Sequence, residues 1–598
     1  MITAVRSLLL LFAFACTANA ADAVRDRSQT DEIIYFVLPD RFENGNPAND
    51  RGGLPGDRLQ HGFDPTSKAF FHGGDLQGLT ARLDYIQALG ATAVWLTPVF
   101  KNKAVQGGPG QESAGYHGYW ITDFTAIDPH LGDEAQMQAF VRAAHARGMK
   151  VYLDIIANHT ADVIAYRECP TEQCPYRSRA EYPYSRRGGV QGAPINAGFT
   201  GNDFEKLTRP DFAYTPYLPA GEERIKVPQW LNDPLLYHNR GNTTFEGESS
   251  EMGDFVGLDD LMTEHPRVVQ GMIEIYGSWI DRYGVDGFRI DTARHVNPEF
   301  WQAFVPAMLQ RAAARGIPHF HIFGEVSSPG IDVALLARYT RVAKLPAVLD
   351  FAFANAVRDT VAGNAGTDKL ARLFADDSLY EGGERTALQL PTFVSNHDGG
   401  RFGFHVRAAR PQASDDEVMK RVLLAHAMLF TLRGVPVVYY GDEQGFTGVG
   451  GDQDARQDMM PSRTPSYLAD RRVGVRLKPD PLGSSFDLQH PIARAIAKLS
   501  ALRRTHAALR SGRQVVRNYS DSPGLFAVSR LDPTTGREIA IAFNTSLQPL
   551  STVMEVAAHS RRFTALYGRC ESEAVAPGSY RVVLAPLDFI VCAAGDGT

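Results

Sequence analysis

The sequence predicts an α/β protein: a (β/α)8 TIM barrel, a loop-rich subdomain inserted after its third strand, and a C-terminal antiparallel β-sandwich domain. Three observations carry this reading. Eight short β-branched or aromatic runs alternate with amphipathic helical stretches over most of the 598 residues. One interval between runs is much longer than the rest, and beyond residue 510 the pattern changes to apolar–polar alternation.

The eight runs are 33–38, 93–97, 151–156, 285–290, 321–325, 347–353, 392–395 and 435–440. Several are apolar on both faces, as expected of parallel strands covered by helices on both sides. Between the second and third, 133–149 places Met137, Phe140, Val141 and Ala144 at helical spacing and closes on Arg147-Gly148, a helix stop. Leu79, Leu83, Ile86 and Gly90 repeat the design one unit earlier, and a last helix lies near 491–506. Eight such units close a barrel. Successive runs start roughly 25–60 residues apart, but Val151 to Val285 is 134. The excess, rich in Tyr, Pro, Gly, Asn and Arg, lacks helical periodicity. The expected organisation is a barrel over 31–160 and 265–510, an insertion over 161–264, and a β domain over 511–598 with alternating runs at 525–528, 538–543 and 580–584.

Composition narrows the class. Sixty-one Lys and Arg against 68 Asp and Glu give a charge of −7, with 44% hydrophobic and 22% charged residues. That balance buries a large core and excludes disorder, collagen-like repeats and coiled coil. The mild acidity argues against a nucleic-acid partner, which needs a basic face. Residues 1–20 carry Arg6, an apolar run from Leu8 to Ala15, and Ala18-Asn19-Ala20, the pattern of a secretory signal peptide. The expected product is secreted, extracellular or periplasmic, monomeric and free of the membrane after signal cleavage. Without Cys16, four cysteines remain; proximity favours Cys169–Cys174 and Cys570–Cys592 as disulfides, with a cysteine-rich metal site as the alternative.

Chemistry in a barrel collects at the carboxyl ends of its strands. The third run leads into Asp154-Ile155-Ile156-Ala157-Asn158-His159, the fourth is Gly287-Phe288-Arg289-Ile290-Asp291, the fifth ends in Gly324-Glu325-Val326, and the seventh in Asn396-His397-Asp398. The second feeds a loop with His117, Tyr119 and Trp120. Each piece alone has a bland reading as a turn, a local ion pair or a helix cap. Their convergence on one rim, from different strands, points to an acidic site. Acetal hydrolysis fits it, because cleavage of a glycosidic bond needs one protonated acid and one ionised carboxylate. Arg289, two residues from Asp291 on a strand of period two, is expected to hold Asp291 ionised. Glu325, less directly paired, is the candidate acid.

The motif order Asp-x-x-x-Asn-His, Gly-Phe-Arg-Ile-Asp, Gly-Glu-Val and Asn-His-Asp resembles the conserved regions of the alpha-amylase family of glycoside hydrolases, over a span from about Glu32 to the end of the chain. The resemblance implies Asp291 as nucleophile, Glu325 as general acid/base and Asp398 as stabiliser of the distorted sugar. It implies sugar contacts from His117, Tyr119, His159, Arg289 and His397, and a retaining mechanism. Arg294-His295 stands where many amylases have Lys-His; Arg294 keeps the charge and would still contact a sugar.

Ca2+ is the expected cofactor. Asn44-Gly45-Asn46-Pro47-Ala48-Asn49-Asp50, with His72-Gly73-Gly74-Asp75, is rich in the oxygen ligands hard cations prefer, and is also an ordinary turn-rich sequence. It resembles the N-terminal calcium loop of cyclodextrin glucanotransferases and related amylases, which implies Asn44, Asn46, Asn49, Asp50, the Gly73 carbonyl and Asp75 as ligands. A second calcium, also implied by the resemblance, would use Asn158, the His295 carbonyl and Asp260. Asp260 lies in Leu258-Asp259-Asp260-Leu261, where the family commonly has Leu-Pro-Asp-Leu. The expected function is hydrolysis of α-1,4 links in an α-glucan. A cyclomaltodextrinase, neopullulanase-like enzyme or glucanotransferase is the near alternative, and a non-catalytic carbohydrate-binding relative the distant one.

Overall fold

The computed structural model describes residues 23–170, 174–474 and 483–595; the expected signal peptide lies outside them. Eight strands form the barrel: β1 (Ile34–Val37), β2 (Ala93–Leu96), β3 (Lys150–Ile156), β4 (Gly287–Asp291), β5 (His321–Gly324), β6 (Ala347–Val348), β7 (Pro391–Thr392) and β8 (Val435–Tyr439). Their hydrogen-bonded order is β6-β5-β4-β3-β2-β1-β8-β7, parallel throughout. The β6/β7 seam is bridged by Asp350 N–H donating to Pro391 O at 2.9 Å. β3 and β4 are buried at every position, so the charged Asp154, Arg289 and Asp291 are enclosed along with the apolar residues beside them.

The helices follow their caps. The stretch from Leu79 to Gly90 is two helices, α1 (Leu76–Ala81) and α2 (Leu83–Ala88), meeting at Arg82. α3 (Glu134–Ala146) starts on a capping box between Asp133 and Gln136 and buries Met137, Phe140, Val141 and Ala144. Residues 347–353 are not one strand. Asp350 accepts the Phe353 N–H at 2.9 Å and caps α4 (Phe351–Val357), which converts the second half of the run to helix. Similarly β7 ends at Thr392, and Ser395 instead accepts the Phe402 N–H at 2.9 Å.

Between β3 and β4 the chain is mostly irregular. Ala165–Tyr166 pairs with Pro216–Tyr217, a small core gathers Leu207, Phe212, Ala213 and Met262, and buried Lys226 pairs with Asp259. Cys169 and Cys174 are disulfide-bonded, as are Cys570 and Cys592. The C-terminal part has β9 (Arg513–Asn518), β10 (Leu525–Leu531), β11 (Glu538–Asn544), β12 (Leu550–Glu555), β13 (Phe563–Tyr567), β14 (Ser579–Leu584) and β15 (Phe589–Ala594). They form one sheet of order β9-β10-β11-β15-β13 and a β12-β14 pair, all antiparallel. Met554, Tyr580 and Val582 of the pair share a core with Ala540 and Ile590 of the larger sheet. Among the described residues no helix is long and apolar enough to cross a membrane.

Three further helices are α5 (Asp368–Ala375), α6 (Asp415–Thr431) and α7 (Pro491–Thr505). Buried arginines join barrel and C-terminal sheet. Arg530 of β10 donates to Thr431 O at 2.9 Å, at the end of α6, and to Gly512 O at 3.1 Å. Arg503 of α7 donates to Leu509 O at 2.7 Å, Gly434 O at 2.6 Å and Thr30 O at 3.3 Å. Arg433, just before β8, pairs with Asp377 at 2.7 Å and with Asp350. Arg433→Met leaves two buried carboxylates uncompensated and is expected to lower stability by about 3–5 kcal/mol, read as a shift of the denaturant midpoint.

Candidate active site

Register assembles the centre. Arg289 on β4 stands opposite Asp154 on β3 and Phe323 on β5, so Glu325, two residues beyond Phe323, shares its face. The guanidinium contacts three carboxylates at 2.8 Å each: Asp154 and Asp291 through one terminal nitrogen, Glu325 through the other. Glu325 also accepts the Thr292 N–H at 3.1 Å. The expectation that Glu325 is the less directly paired acid is therefore corrected: both acids lean on the same guanidinium. Among the described residues, Asp291 Oδ2 and Glu325 Oε1 make no hydrogen bond, and both residues line a cleft of about 590 Å³.

Burial decides their protonation. It pushes Asp154, Asp291 and Glu325 up to about 7, with Arg289 pulling each back down. Three mutually repelling carboxylates around one cation retain a proton near neutrality. Arg289 alone thus does not keep Asp291 in the ordinary carboxylate range, because desolvation is the larger effect. Asp154 is the best-bound of the three, since it also accepts from Trp95 Nε1 and Tyr119 Oη at 3.1 Å each.

The histidines of the cleft are neutral. Burial drives His117 and His397 well below the usual imidazole range, helped by Arg456, and takes His159 down to about 3. His117 Nδ1 accepts the Tyr119 N–H at 3.1 Å, so its Nε2 carries the proton. His159 Nε2 and His397 Nδ1 are buried with no partner among the described residues. Tyr119 lies parallel to His117 and His397, at ring distances of 5.6 and 5.5 Å, and its hydroxyl is 2.8 Å from His397 Nε2. Asp398, with a side chain 49% exposed, takes Arg456 at 3.1 Å and His397 at 3.2 Å. Arg294 donates to Ser327 O at 3.0 Å, and His295 Nδ1 lies 2.7 Å from Ser250 O; both residues line the cleft.

Several cleft residues escaped sequence reasoning. Arg456 joins Asp398, Asp452, the His397 carbonyl and Tyr116 Oη, yet it lies in a late loop without a motif. Phe245 and Val256 line the cleft, exposed and at φ +63° and +54°. A β-branched residue there is a backbone outlier of the kind found at binding sites, and no one-dimensional pattern announces it.

The residues expected to hold calcium differ in how well they fit a cation. Among the described residues Asn44 Oδ1 and Asn49 Oδ1 are buried without partners, and Asn44 Nδ2 donates to Asp50 at 2.8 Å. A side chain at Gly73, φ +94°, would meet Asn44 and Asp50 at 2.7 Å. Burial, with Asp40 and Asp75 nearby, raises Asp50. Two orphan amide oxygens beside crowded carboxylates fit a hard cation. Asn46 is partly exposed, its Oδ1 3.3 Å from Ala48 N, and Asp75 already accepts from Gly45, Asn46 and Gly78 N–H. In the second set Asn158 Oδ1 is an orphan, but Asp260 is engaged by His238 at 2.6 Å, and Glu264 holds the other face of that ring. This set fits a cation less well. Among the described residues no three His, Cys, Asp or Glu side chains cluster as a metal site.

For Asp291 to serve as nucleophile and Glu325 as acid, as expected from the sequence, the pair has to hold one proton. Raising pH strips Glu325, lowering pH protonates Asp291, so kcat/KM is expected to peak with limbs on either side of about 7. Glu325→Gln is expected to abolish the alkaline limb; a pH–rate profile checks both.

The family model for the alpha amylase catalytic domain matches residues 36–472. An alpha-amylase of Streptomyces lividans is 42% identical over 92% of this chain and 59% of its own length. A cyclomaltodextrinase of Thermoanaerobacter pseudethanolicus is 27% identical over 72% of this chain and 60% of its own. The chain thus spans about three fifths of these relatives. The crystal structure of an alpha-amylase from Geobacillus thermoleovorans, complexed with acarbose, superposes with a TM-score of 0.64 at 27% identity, covering 96% of this chain and 100% of that one. With the family model matched over 36–472 and the Streptomyces lividans relative 42% identical, the chain belongs to the alpha-amylase family of glycoside hydrolases.

Proposed function

We propose that the chain is an exported, endo-acting alpha-amylase that hydrolyses α-1,4-glucosidic bonds of starch, glycogen or maltodextrins by retaining double displacement. The observation that carries this is the guanidinium of Arg289 bridging Asp291 and Glu325, both of which line the cleft. Sharing one cation draws the two carboxyls together, and a spacing of about 5–5.5 Å is what a retaining pair needs. Glu325 donates its proton to the glycosidic oxygen while Asp291 attacks the anomeric carbon and the C–O bond breaks. Glu325, now ionised, takes a proton from water, whose oxygen displaces Asp291 from the same carbon. Asp398 and the neutral histidines bind the hydroxyls of the distorted ring. Export is supported by the signal-like residues 1–20 and two disulfides.

Asp291→Asn and Glu325→Gln are each expected to lower starch hydrolysis about 10³-fold or more. Glu325→Gln is expected to retain more activity on an α-maltosyl fluoride, whose leaving group needs no proton. Wild-type starch hydrolysis by both variants would overturn the assignment. A cyclomaltodextrinase or glucanotransferase is the second reading, favoured by the cyclomaltodextrinase relative. Faster turnover of cyclodextrin than of soluble starch would select it.

Calcium in the N-terminal loop, held by Asn44, Asn49, Asp50 and the Gly73 carbonyl, would neutralise buried carboxylate charge and rigidify the segment between β1 and α1. Removing it with a chelator is expected to lower the melting temperature, since a ligand bound only by the native state stabilises by about 2.7 kcal/mol at a hundredfold excess over Kd. Asp50→Ala is expected to abolish that shift; an unchanged melting curve in excess chelator would remove the proposal.

A further inference from the structure

A second cavity, about 580 Å³, opens between α5 and β9, and it nearly matches the catalytic cleft in volume. Arg433 in its wall precedes β8, whereas the catalytic groups stand where strands end, so the two sites are separate. Phe374, Leu388 and Val515 give the cavity an apolar lining, and Tyr519, 56% exposed, stands in its wall. The turn bearing Tyr519 is pinned: Asp368 N–H donates to Ser520 O at 3.1 Å and Ser520 N–H to Thr367 Oγ1 at 2.9 Å.

The wall's charges indicate what kind of ligand would bind. Arg372 pairs with Asp368 at 3.1 Å, Arg513 with Glu384 at 3.4 Å, and Arg433 with Asp377 at 2.7 Å. Each guanidinium already faces a carboxylate, so an anion finds no free countercharge, while Asp521, also in the wall, adds a carboxylate that can accept from hydroxyls. A ligand meets instead planar donors and acceptors side by side, next to an aromatic ring. Gln514, also in the wall, accepts the Arg433 N–H at 2.9 Å through Oε1, while its buried Nε2 has no partner among the described residues. An uncharged ring with an apolar C–H face and hydroxyls that both donate and accept matches this set.

We propose that this cavity is a second binding site for a neutral α-glucan segment, which holds the polymer while the cleft cuts it. The choice of glucan rests on the function proposed above; the location rests on the cavity. Binding at two places on one chain raises the effective concentration of polymer at the cleft, an advantage that short oligosaccharides cannot use.

The test uses the full chain carrying Asp291→Asn, titrated with maltoheptaose by calorimetry and followed by hydrogen exchange. Two classes of site are expected, with ligand-dependent protection in β9. Adding Tyr519→Ala is expected to weaken the second class at least tenfold, and Tyr519→Phe to preserve it. In the active chain Tyr519→Ala is expected to raise KM for soluble starch about fivefold, leaving kcat and the constants for maltotriose unchanged. An unaltered melting temperature shows the variant folded. A single class of site without protection in β9, or a Tyr519→Ala isotherm equal to its parent, overturns the proposal. Starch hydrolysis by the unsubstituted chain separates the two readings: hydrolysis with one class of site sinks only the second site, and two classes without hydrolysis sink only the hydrolase.

Discussion

One guanidinium organises the centre of this molecule. Arg289 is 1% exposed and touches Asp154, Asp291 and Glu325 from three neighbouring strands. Removing three carboxylates from water is costly, and a single cation at 2.8 Å only partly repays it. The outcome is a cluster short of positive charge that keeps a proton near neutrality. Parallel pairing is what makes this possible, because the β3–β4–β5 register sets Arg289 between Asp154 and the face bearing Glu325. Slipping any of these strands by one residue would turn its acid away from the rim.

The remainder of the cleft avoids adding positive charge. His117, His159 and His397 are held neutral by burial, so under the proposed function they would face sugar hydroxyls without opposing the positive charge that develops during bond cleavage. Tyr119, between two of these rings, ties His397 to Asp154 through its hydroxyl and holds His117 through its backbone N–H.

Much of this was legible in the chain. The strands at 33–38, 93–97 and 151–156 are apolar on both faces, and the acids sit at strand ends. The failures share a cause. Residues 347–353 read as a single run because apolar composition does not reveal that Asp350 turns inward to cap a helix. Glu325 read as weakly paired because its contact to Arg289 depends on register between strands, not on spacing along one. Arg456 comes 58 positions after Asp398 and meets it only in three dimensions. Positive φ at Phe245 and Val256 is unexpected for such side chains.

The arginines at the base of the barrel have a consequence for ancestry. Arg530 belongs to the C-terminal sheet but satisfies the final carbonyl of α6, while Arg503 ties Gly434 and Thr30 to the segment leading into that sheet. A crossover that swapped the terminal sheet for an unrelated one would strand these carbonyls in the interior. The barrel and its terminal sheet should therefore be inherited and exchanged together as one unit, even though they differ in architecture.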